Sequence, residues 1–205
     1  MNKTDPRVIK TLHRIDEALL DNLKTHDFRK ITVDTLCRSA RINRSTFYKY
    51  YSDKYDLLDN FLNRILSEFS EATISTGFIL ASPYYNTNEK FIQDFEKMIE
   101  FIYGRLEIYR ILWTASIDRS IYTEMESIIR QNVNKILQSE LSAPPDGKTA
   151  CYHDLYARLL ASNFLTLVRW WVTNQPSISR SDVVSVMEGS IRKSLLLTLP
   201  FAKDA

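Results

Sequence analysis

Apolar residues recur every three or four positions along most of this 205-residue chain. In the first such stretch, residues 7–24, they are Val8, Ile9, Leu12, Ile15, Leu19, Leu20 and Leu23. That spacing places them on one face of an α-helix. The chain holds only 4 Gly and 6 Pro, and no segment alternates apolar and polar residues long enough to predict a strand. We therefore predict an all-α fold of about nine helices.

Helix starts are marked by short polar side chains, because these accept backbone N–H groups at that position. After a first helix that begins near Pro6, the candidate caps are Thr32 for a second helix, Asn43 for a third, and Ser52 or Asp53 for a fourth. The fourth helix is expected over about residues 54–73. Later apolar periods predict helices over about 89–103, around 108–113, and over about 120–141, 149–174 and 180–198.

The stretch from Asn43 to Lys54 combines three basic residues, four aromatic residues and several short polar ones. A hydrophobic core does not need this mixture, whereas a helix against DNA uses cations at phosphates and short polar groups as donors. Residues 1–51 hold 11 Lys or Arg and 6 Asp or Glu, whereas the remainder holds 16 and 19. Together with residues 32–42, the stretch predicts a DNA-reading helix-turn-helix at the basic end of the chain.

This N-terminal pattern resembles that of the tetracycline-repressor (TetR) family of bacterial regulators. The resemblance covers residues 15–62 and rests on Ile15, Ala18, Leu19, Phe28, Thr32, Val33, Leu36, Ala40, Ile42, Asn43, Thr46, Phe47, Tyr48, Tyr50, Tyr51, Lys54, Leu57 and Leu58. Residues 167–172 resemble a C-terminal domain common in family members from Firmicutes. The resemblance implies a helix-turn-helix DNA-binding domain over residues 1–54 and a helical ligand-binding and dimerisation domain over residues 55–205.

Two residues depart from the family pattern, because Asp27 and Arg41 stand where the family usually has Gly. Arg41 falls in the turn between the two helices of the motif. A left-handed backbone there would cost a non-Gly residue roughly 1 kcal/mol or more, so the turn is either tolerated at that cost or slightly remodelled. Arg41 also adds a cation close to the DNA.

The resemblance implies that the helix after Ile42 enters the major groove, with Phe47 and Tyr51 facing inward. Arg44 is the best candidate for a base contact, since guanidinium matches the O6/N7 edge of guanine, and a phosphate contact is the alternative. Tyr50 is either a phosphate contact or a structural wedge. The full predicted DNA-binding set is Thr32, Arg41, Asn43, Arg44, Ser45, Thr46, Tyr48, Lys49, Tyr50 and Lys54, with Thr32 and Lys54 as the outer phosphate contacts.

A homodimer is also implied, because specific DNA sites are usually palindromes in which each half is bound by one DNA-binding domain. We call this domain, residues 1–54, the head. The family dimerises through its last two long helices, packed as a four-helix bundle with the partner. The residues that fit this arrangement are Tyr152, Leu155, Tyr156, Leu159, Leu160, Phe164, Val183, Val184, Met187, Ile191, Leu195 and Leu196. The alternative is that these residues form a core within one chain.

Family members commonly hold a small molecule in the helical body, in a pocket that is largely apolar with a few polar groups. The candidates here are Phe95, Tyr109, Trp113, Asn163 and Arg169, and the predicted effector is a small apolar or aromatic molecule. The alternative is that the aromatic residues form the core and that Arg169 pairs with an acid.

Enzymatic activity is not expected, because the three histidines, His13, His26 and His153, lie in no metal or nucleophile motif. Cys37 and Cys151 lie far apart, which argues against a metal site and suggests a reducing compartment. We expect no cofactor, no signal peptide and no membrane span, and therefore a cytoplasmic protein. The predicted function is a ligand-responsive transcriptional regulator, with repression as the expected direction, although nothing in the sequence decides between a repressor and an activator. The alternative is a co-regulator that acts through protein partners with weak or no DNA binding.

Overall fold

We describe residues 5–76, 88–139 and 146–192 of a computed structural model, leaving aside the side chains of Asn88, Phe91 and residues 190–192. These ranges are mostly helical and contain no strand, which confirms the predicted all-α fold. The α-helices are α1 (Pro6–Leu23), α2 (Val33–Ala40), α3 (Arg44–Phe47), α4 (Lys54–Ser75), α5 (Asn88–Tyr103), α6 (Leu106–Thr114), α7 (Ile121–Ser139), α8 (Gly147–Thr173) and α9 (Arg180–Val186).

Two helical segments differ from the pattern that the sequence predicted. A short 3-10 helix, Phe28–Lys30, lies between α1 and α2. Helix α9 is α-helical only to Val186 and continues as a π-helix over Met187–Arg192, and the rest of the predicted span to 198 lies outside the described residues. The other helices begin and end within a few residues of the predicted positions, because their caps and apolar periods are local signals.

Packing divides the chain into two compact units. The first contains the described residues up to Leu66 together with Glu107–Ile121, and the second contains Ser67–Leu106 and the described residues from Tyr122 onward. Helix α4 contributes residues to both units. These units are defined by packing, whereas the predicted boundary after residue 54 concerns function, so that boundary stays a prediction.

The first unit has an apolar core supplied by α1, α2, α3 and α4. Its buried side chains include Ile15, Leu19, Leu36, Phe47, Leu57 and Phe61. The apolar stripe of α1 is buried only toward its C-terminal end, since Ile9 in the first turn is 54% exposed. Across the core, Arg64 of α4 pairs with Asp16 of α1 at 2.6 Å, which ties the two helices together.

The second unit is built around aromatic residues of α5 and α8. Phe95 and Phe164 meet edge to face with their ring centroids 6.1 Å apart, and Trp171 is fully buried. Its indole Nε1 donates to the carbonyl oxygen of Ile178, which holds the turn that follows α8. A buried polar contact also lies in this unit, where Asn132 donates to the hydroxyl oxygen of Thr73 at 2.9 Å.

Candidate nucleic-acid interface

The turn of the helix-turn-helix is built on a left-handed residue. Arg41 has φ 52° and ψ 50°, the conformation that the family usually assigns to Gly. Its carbonyl oxygen accepts a 2.7 Å hydrogen bond from Nη2 of Arg14 on α1. The turn is therefore not remodelled: it keeps its left-handed backbone, which costs a non-Gly residue about 1–2 kcal/mol.

Helix α2 leads into this turn and is capped as predicted. The hydroxyl oxygen of Thr32 accepts from the backbone N–H of Thr35 at 3.1 Å. Asn43 occupies the equivalent position before α3, but its side chain makes no capping hydrogen bond. Thr32 and Asn43 are both exposed. The carboxamide oxygen of Asn43 is therefore not used in capping, whereas the Thr32 hydroxyl accepts from the Thr35 N–H and also shares a 2.9 Å hydrogen bond with the Thr35 hydroxyl.

Helix α3 is a single turn that separates an inward side from an outward one. Phe47 and Tyr51 are buried, with ring centroids 5.7 Å apart, which confirms the predicted inward pair. Burial, together with the nearby Asp16 carboxylate, raises the pKa of the Tyr51 hydroxyl to about 12, so it stays protonated at neutral pH. These two rings anchor the short helix to the core and leave the rest of it at the surface.

The outward side carries most of the predicted DNA-binding residues. Arg41, Arg44, Ser45, Tyr48 and Lys49 are exposed. Thr46 and Tyr50 are half-buried, so both alternatives for Tyr50 stay open. The structure thus brings cations, hydroxyls and a phenol together on one surface of the turn and α3.

Arg44 does not project freely from that surface. Its Nη1 lies 3.2 Å from Oδ1 of Asp34 on α2, and its Nη2 donates to the Tyr48 hydroxyl oxygen at 3.4 Å. The guanidinium also lies over the Tyr48 ring, 5.9 Å from the centroid. Sequence reasoning missed Asp34, although its place in the first turn of α2, ten residues before Arg44, was visible.

Lys54 has a role that the sequence did not predict. Its ammonium donates to the carbonyl oxygens of Phe28, Arg29 and Ile31 at 3.0, 2.9 and 2.8 Å. A lysine ammonium has three hydrogens, so all its donors are used. Lys54 therefore holds the 3-10 segment that precedes α2, and a direct phosphate contact would have to break one of these bonds. The phosphate contact stays a prediction.

The second departure from the family pattern, Asp27, is explained by a cap. Asp27 has φ −57°, which needs no Gly, and its Oδ1 accepts from the backbone N–H of Arg29 at 2.9 Å. Hydrogen bonds from Arg29 lower the pKa of this carboxyl below its usual range. Its Oδ2 also accepts from the Ser116 hydroxyl at 3.2 Å, and the Phe28 N–H donates to the Ser116 carbonyl oxygen. The segment after α6 is thereby bound to the head.

The predicted ligand-binding residues are distributed over both units. Tyr109 is buried and stacks on Trp113 in the first unit, with centroids 5.5 Å apart. Phe95, Asn163 and Arg169 belong to the second unit, where Phe95 is part of the aromatic core and Arg169 is exposed. The Arg169 guanidinium lies over the Tyr122 ring at 5.5 Å, rather than beside an acid.

A cavity of about 530 Å³ lies in the first unit, and none of the five predicted ligand residues lines it. Its walls come from α1, the end of α2 and the start of α6. Three of its six charged residues pair with one another, since Lys24 lies 3.1 Å from Asp21 and 2.9 Å from Glu107. The predicted ligand site therefore stays a prediction.

The predicted dimer residues fall into three groups. Leu155 and Leu159 of α8 are 44% and 36% exposed, and Tyr152 and Val184 are half-buried. The fully or nearly fully buried group belongs to the core of the single chain, which leaves it little area for a partner: Tyr156, Leu160, Phe164, Val183 and Met187. Leu195, Leu196 and the side chain of Ile191 lie outside the described residues.

The described residues were also considered as possible metal ligands and as possible membrane spans. They contain no cluster of three or more His, Cys, Asp or Glu that could hold a metal ion. None of the described helices combines the length and apolar character needed to cross a membrane.

Comparison with known proteins finds regulators. No family model matches the chain. The uncharacterized HTH-type transcriptional regulator YxbF of Bacillus subtilis (strain 168) is 31% identical over 103 residues, which is 50% of this chain. The matched region is 25% of YxbF, so the chain spans about a quarter of the length of this curated relative. The similarity to YxbF therefore concerns one region of each protein and does not extend to the activity of the whole of YxbF.

Among solved structures, the dihydroxyacetone kinase operon activator DhaS has a similar fold. It matches with a TM-score of 0.54 and 16% identity, covering 94% of this chain and 98% of that one. At this identity the likeness concerns the fold alone. Both similar proteins are named as regulators of transcription.

Proposed function

We propose that this chain is a DNA-binding transcriptional regulator of the helix-turn-helix type, related to the TetR family. One observation carries the proposal: α3 and the turn that follows it bury Phe47 and Tyr51 and present Arg44, Ser45, Tyr48 and Lys49 outward. Cations and hydroxyls on a short exposed helix suit the phosphates and base edges of a major groove. The similarity to a named helix-turn-helix regulator and to the fold of an operon activator adds support.

The proposal includes a homodimer that binds a palindromic operator. One side of α8 stays exposed from residue 155 onward and is largely uncharged; it consists of Leu155, Leu159, Ser162, Thr166, Trp170 and Thr173, with the exposed Arg158 and Arg169 along its edge. Residues at these spacings share one side of a helix. A face whose centre is uncharged and carries a 43% exposed Trp is suited to burial against a second copy, since aromatic residues are enriched and charges depleted at interface cores, while a polar rim is usual.

The proposal also includes control by a small molecule in the helical body, and repression as the direction of regulation. A dimer seated on an operator excludes other proteins from the same DNA, and a ligand that favours another head spacing would release it. Deleting the gene should then raise transcription from the promoter that it controls. The proposed site of action is the cytoplasm.

Selection from a random duplex library tests the proposal. The purified protein should enrich a palindrome at about 100 mM salt, where non-specific binding is already weak. Its half-sites should lie one helical turn of DNA apart, or a multiple of that distance, as expected for a two-fold dimer. Raising the salt should weaken binding along a straight line in a log–log plot, because bound phosphates release counterions. Failure to enrich any duplex would contradict DNA binding and favour the co-regulator.

A further inference from the structure

Asp34 is an acidic residue on a surface that otherwise suits a polyanion. It lies in the first turn of α2, just after the Thr32 cap, and its side chain is exposed. An acid near DNA phosphates weakens binding by repulsion unless its charge is offset. The cation that offsets it is Arg44, whose Nη1 lies 3.2 Å from Asp34 Oδ1. The carboxylate that would repel DNA phosphates is thus paired with Arg44, the residue best suited to contact a base.

Arg44 is held from two directions in the absence of DNA. Asp34 is paired with Nη1, while Tyr48 accepts from Nη2 at 3.4 Å and lies beneath the guanidinium. A guanidinium carries five N–H donors in a fixed plane, so donors remain after one partner engages each terminal nitrogen. The Tyr48 hydroxyl accepts from Arg44 and keeps its own hydrogen for a phosphate oxygen.

An exposed ion pair contributes little in water, because solvent and salt screen it. The pair matters more at the DNA interface for two reasons. Electrostatic interactions are stronger where the bound base pair excludes water. A long arginine side chain that is already ordered also loses less conformational entropy on binding. Arg44 fixed by Asp34 would meet the groove already oriented. Asp34 lies outside the core, and Thr32 supplies the side-chain cap of α2. An acid in the first turn also suits the helix dipole, and the charged side chain that pairs with Asp34 is Arg44.

We propose that Asp34 is a positioning residue that orients Arg44 for a two-pronged hydrogen bond to O6 and N7 of guanine. This inference rests on the proposed function, because it needs a DNA-bound head. It implies that each operator half-site contains one G that Arg44 reads. A good bidentate contact of this kind discriminates against a wrong base by about tenfold or more.

The test is a double-mutant cycle measured on selected operator duplexes. The proteins are the wild type, Asp34→Ala, Arg44→Ala and the double variant, and the duplexes carry each base in turn at every half-site position. Glu17→Ala is the charge-matched control, because Glu17 is an exposed acid on α1 that pairs with His13. Fluorescence anisotropy gives each affinity, and melting temperatures show whether the variants fold. If Asp34→Ala melts early, Asp34→Ser replaces it, since Ser is compatible with a helix start and too short to reach Arg44.

We expect Asp34→Ala to lower discrimination at one G by about tenfold, while affinity for non-specific duplex stays equal or rises. The change should vanish in the Arg44→Ala background, and Glu17→Ala should leave the base preference intact. Unchanged discrimination in Asp34→Ala would overturn the inference. So would a loss that persists without Arg44, which would show that Asp34 itself accepts from cytosine N4. In both cases the wild type still selects an operator, so the proposed function stands; selection of no duplex would overturn that function instead.

Discussion

The head and helix α8 both concentrate aromatic residues, yet they use their surfaces in opposite ways. Around α3, Phe47 and Tyr51 are buried and the exposed side carries Arg44, Tyr48 and Lys49. In α8, Phe164 and Trp171 are buried, and the centre of the exposed face, from Leu155 to Trp170, is uncharged. Aromatic anchors therefore serve the core in both regions. The two regions differ in their exposed side chains. Those around α3 suit a polyanion such as DNA, whereas those of α8 suit an apolar protein surface.

The largest expected effect comes from removing the buried aromatic ring that anchors α3, compared with changing an exposed neighbour. Phe47→Ala removes a fully buried ring and should lower the free energy of unfolding by about 4 kcal/mol. DNA binding should be lost together with folding of the head. Denaturant unfolding followed by circular dichroism measures the change, and Ser45→Ala, at an exposed neighbour, is the control. A stable Phe47→Ala variant would show that this ring does not anchor α3.

The next effect separates two lysines of the same segment. Lys54→Met removes three hydrogen bonds to backbone carbonyls and should lower the free energy of unfolding by about 3 kcal/mol. Lys49→Met removes an exposed cation and should change that free energy by less than about 0.5 kcal/mol. In DNA binding, Lys49→Met should reduce the salt dependence by about one phosphate per head. The assignment fails if Lys54→Met is as stable as the wild type.

A third prediction concerns the exposed face of α8 that contains Leu159. Leu159→Glu places a carboxylate on that face, and burying it against a partner would be unfavourable without a compensating cation. The dimer dissociation constant should rise by about tenfold or more, while the melting temperature of the head stays unchanged. Analytical ultracentrifugation measures the association. Gln131→Glu, an exposed change on α7, is the control for added charge. Equal dimerisation of Leu159→Glu and the wild type would exclude this face as the interface.

The smallest expected effect is at the turn. Arg41→Gly relieves a left-handed non-Gly residue and should raise the free energy of unfolding by about 1 kcal/mol. Arg14 should keep its hydrogen bond, since the acceptor is a backbone carbonyl. Arg41→Ala is the control, because it removes the same charge while keeping the strain. Equal stability of the Gly and Ala variants would show that the backbone at this turn is not strained.

Much of the head was predictable because its signals are local. The Thr32 cap, the turn at Arg41 and the inward pair Phe47 and Tyr51 follow from residues only a few positions apart. Periodicity and capping chemistry act over that range. In α8 the same period predicted the helix, but it did not separate a core residue such as Tyr156 from an exposed one such as Leu159.

The interactions that escaped prediction join residues distant in sequence. Lys54 reaches carbonyls more than twenty residues earlier, and Ser116 bonds Asp27 across 89 residues. No periodic pattern specifies such pairs, because they depend on how the helices pack. The Asp34–Arg44 pair is closer in sequence, yet it forms across the turn and depends on the angle between α2 and α3.

The central claim is that the outward side of α3 binds DNA and does not support the fold. Its most direct test is the double variant Arg44→Ala, Tyr48→Phe, measured for affinity to the selected duplex, for dimerisation and for melting temperature. Both residues are exposed, so we predict a clear loss of affinity with the dimer and the melting temperature unchanged. A parallel loss of stability and binding would contradict the account, since it would show that these side chains support the fold.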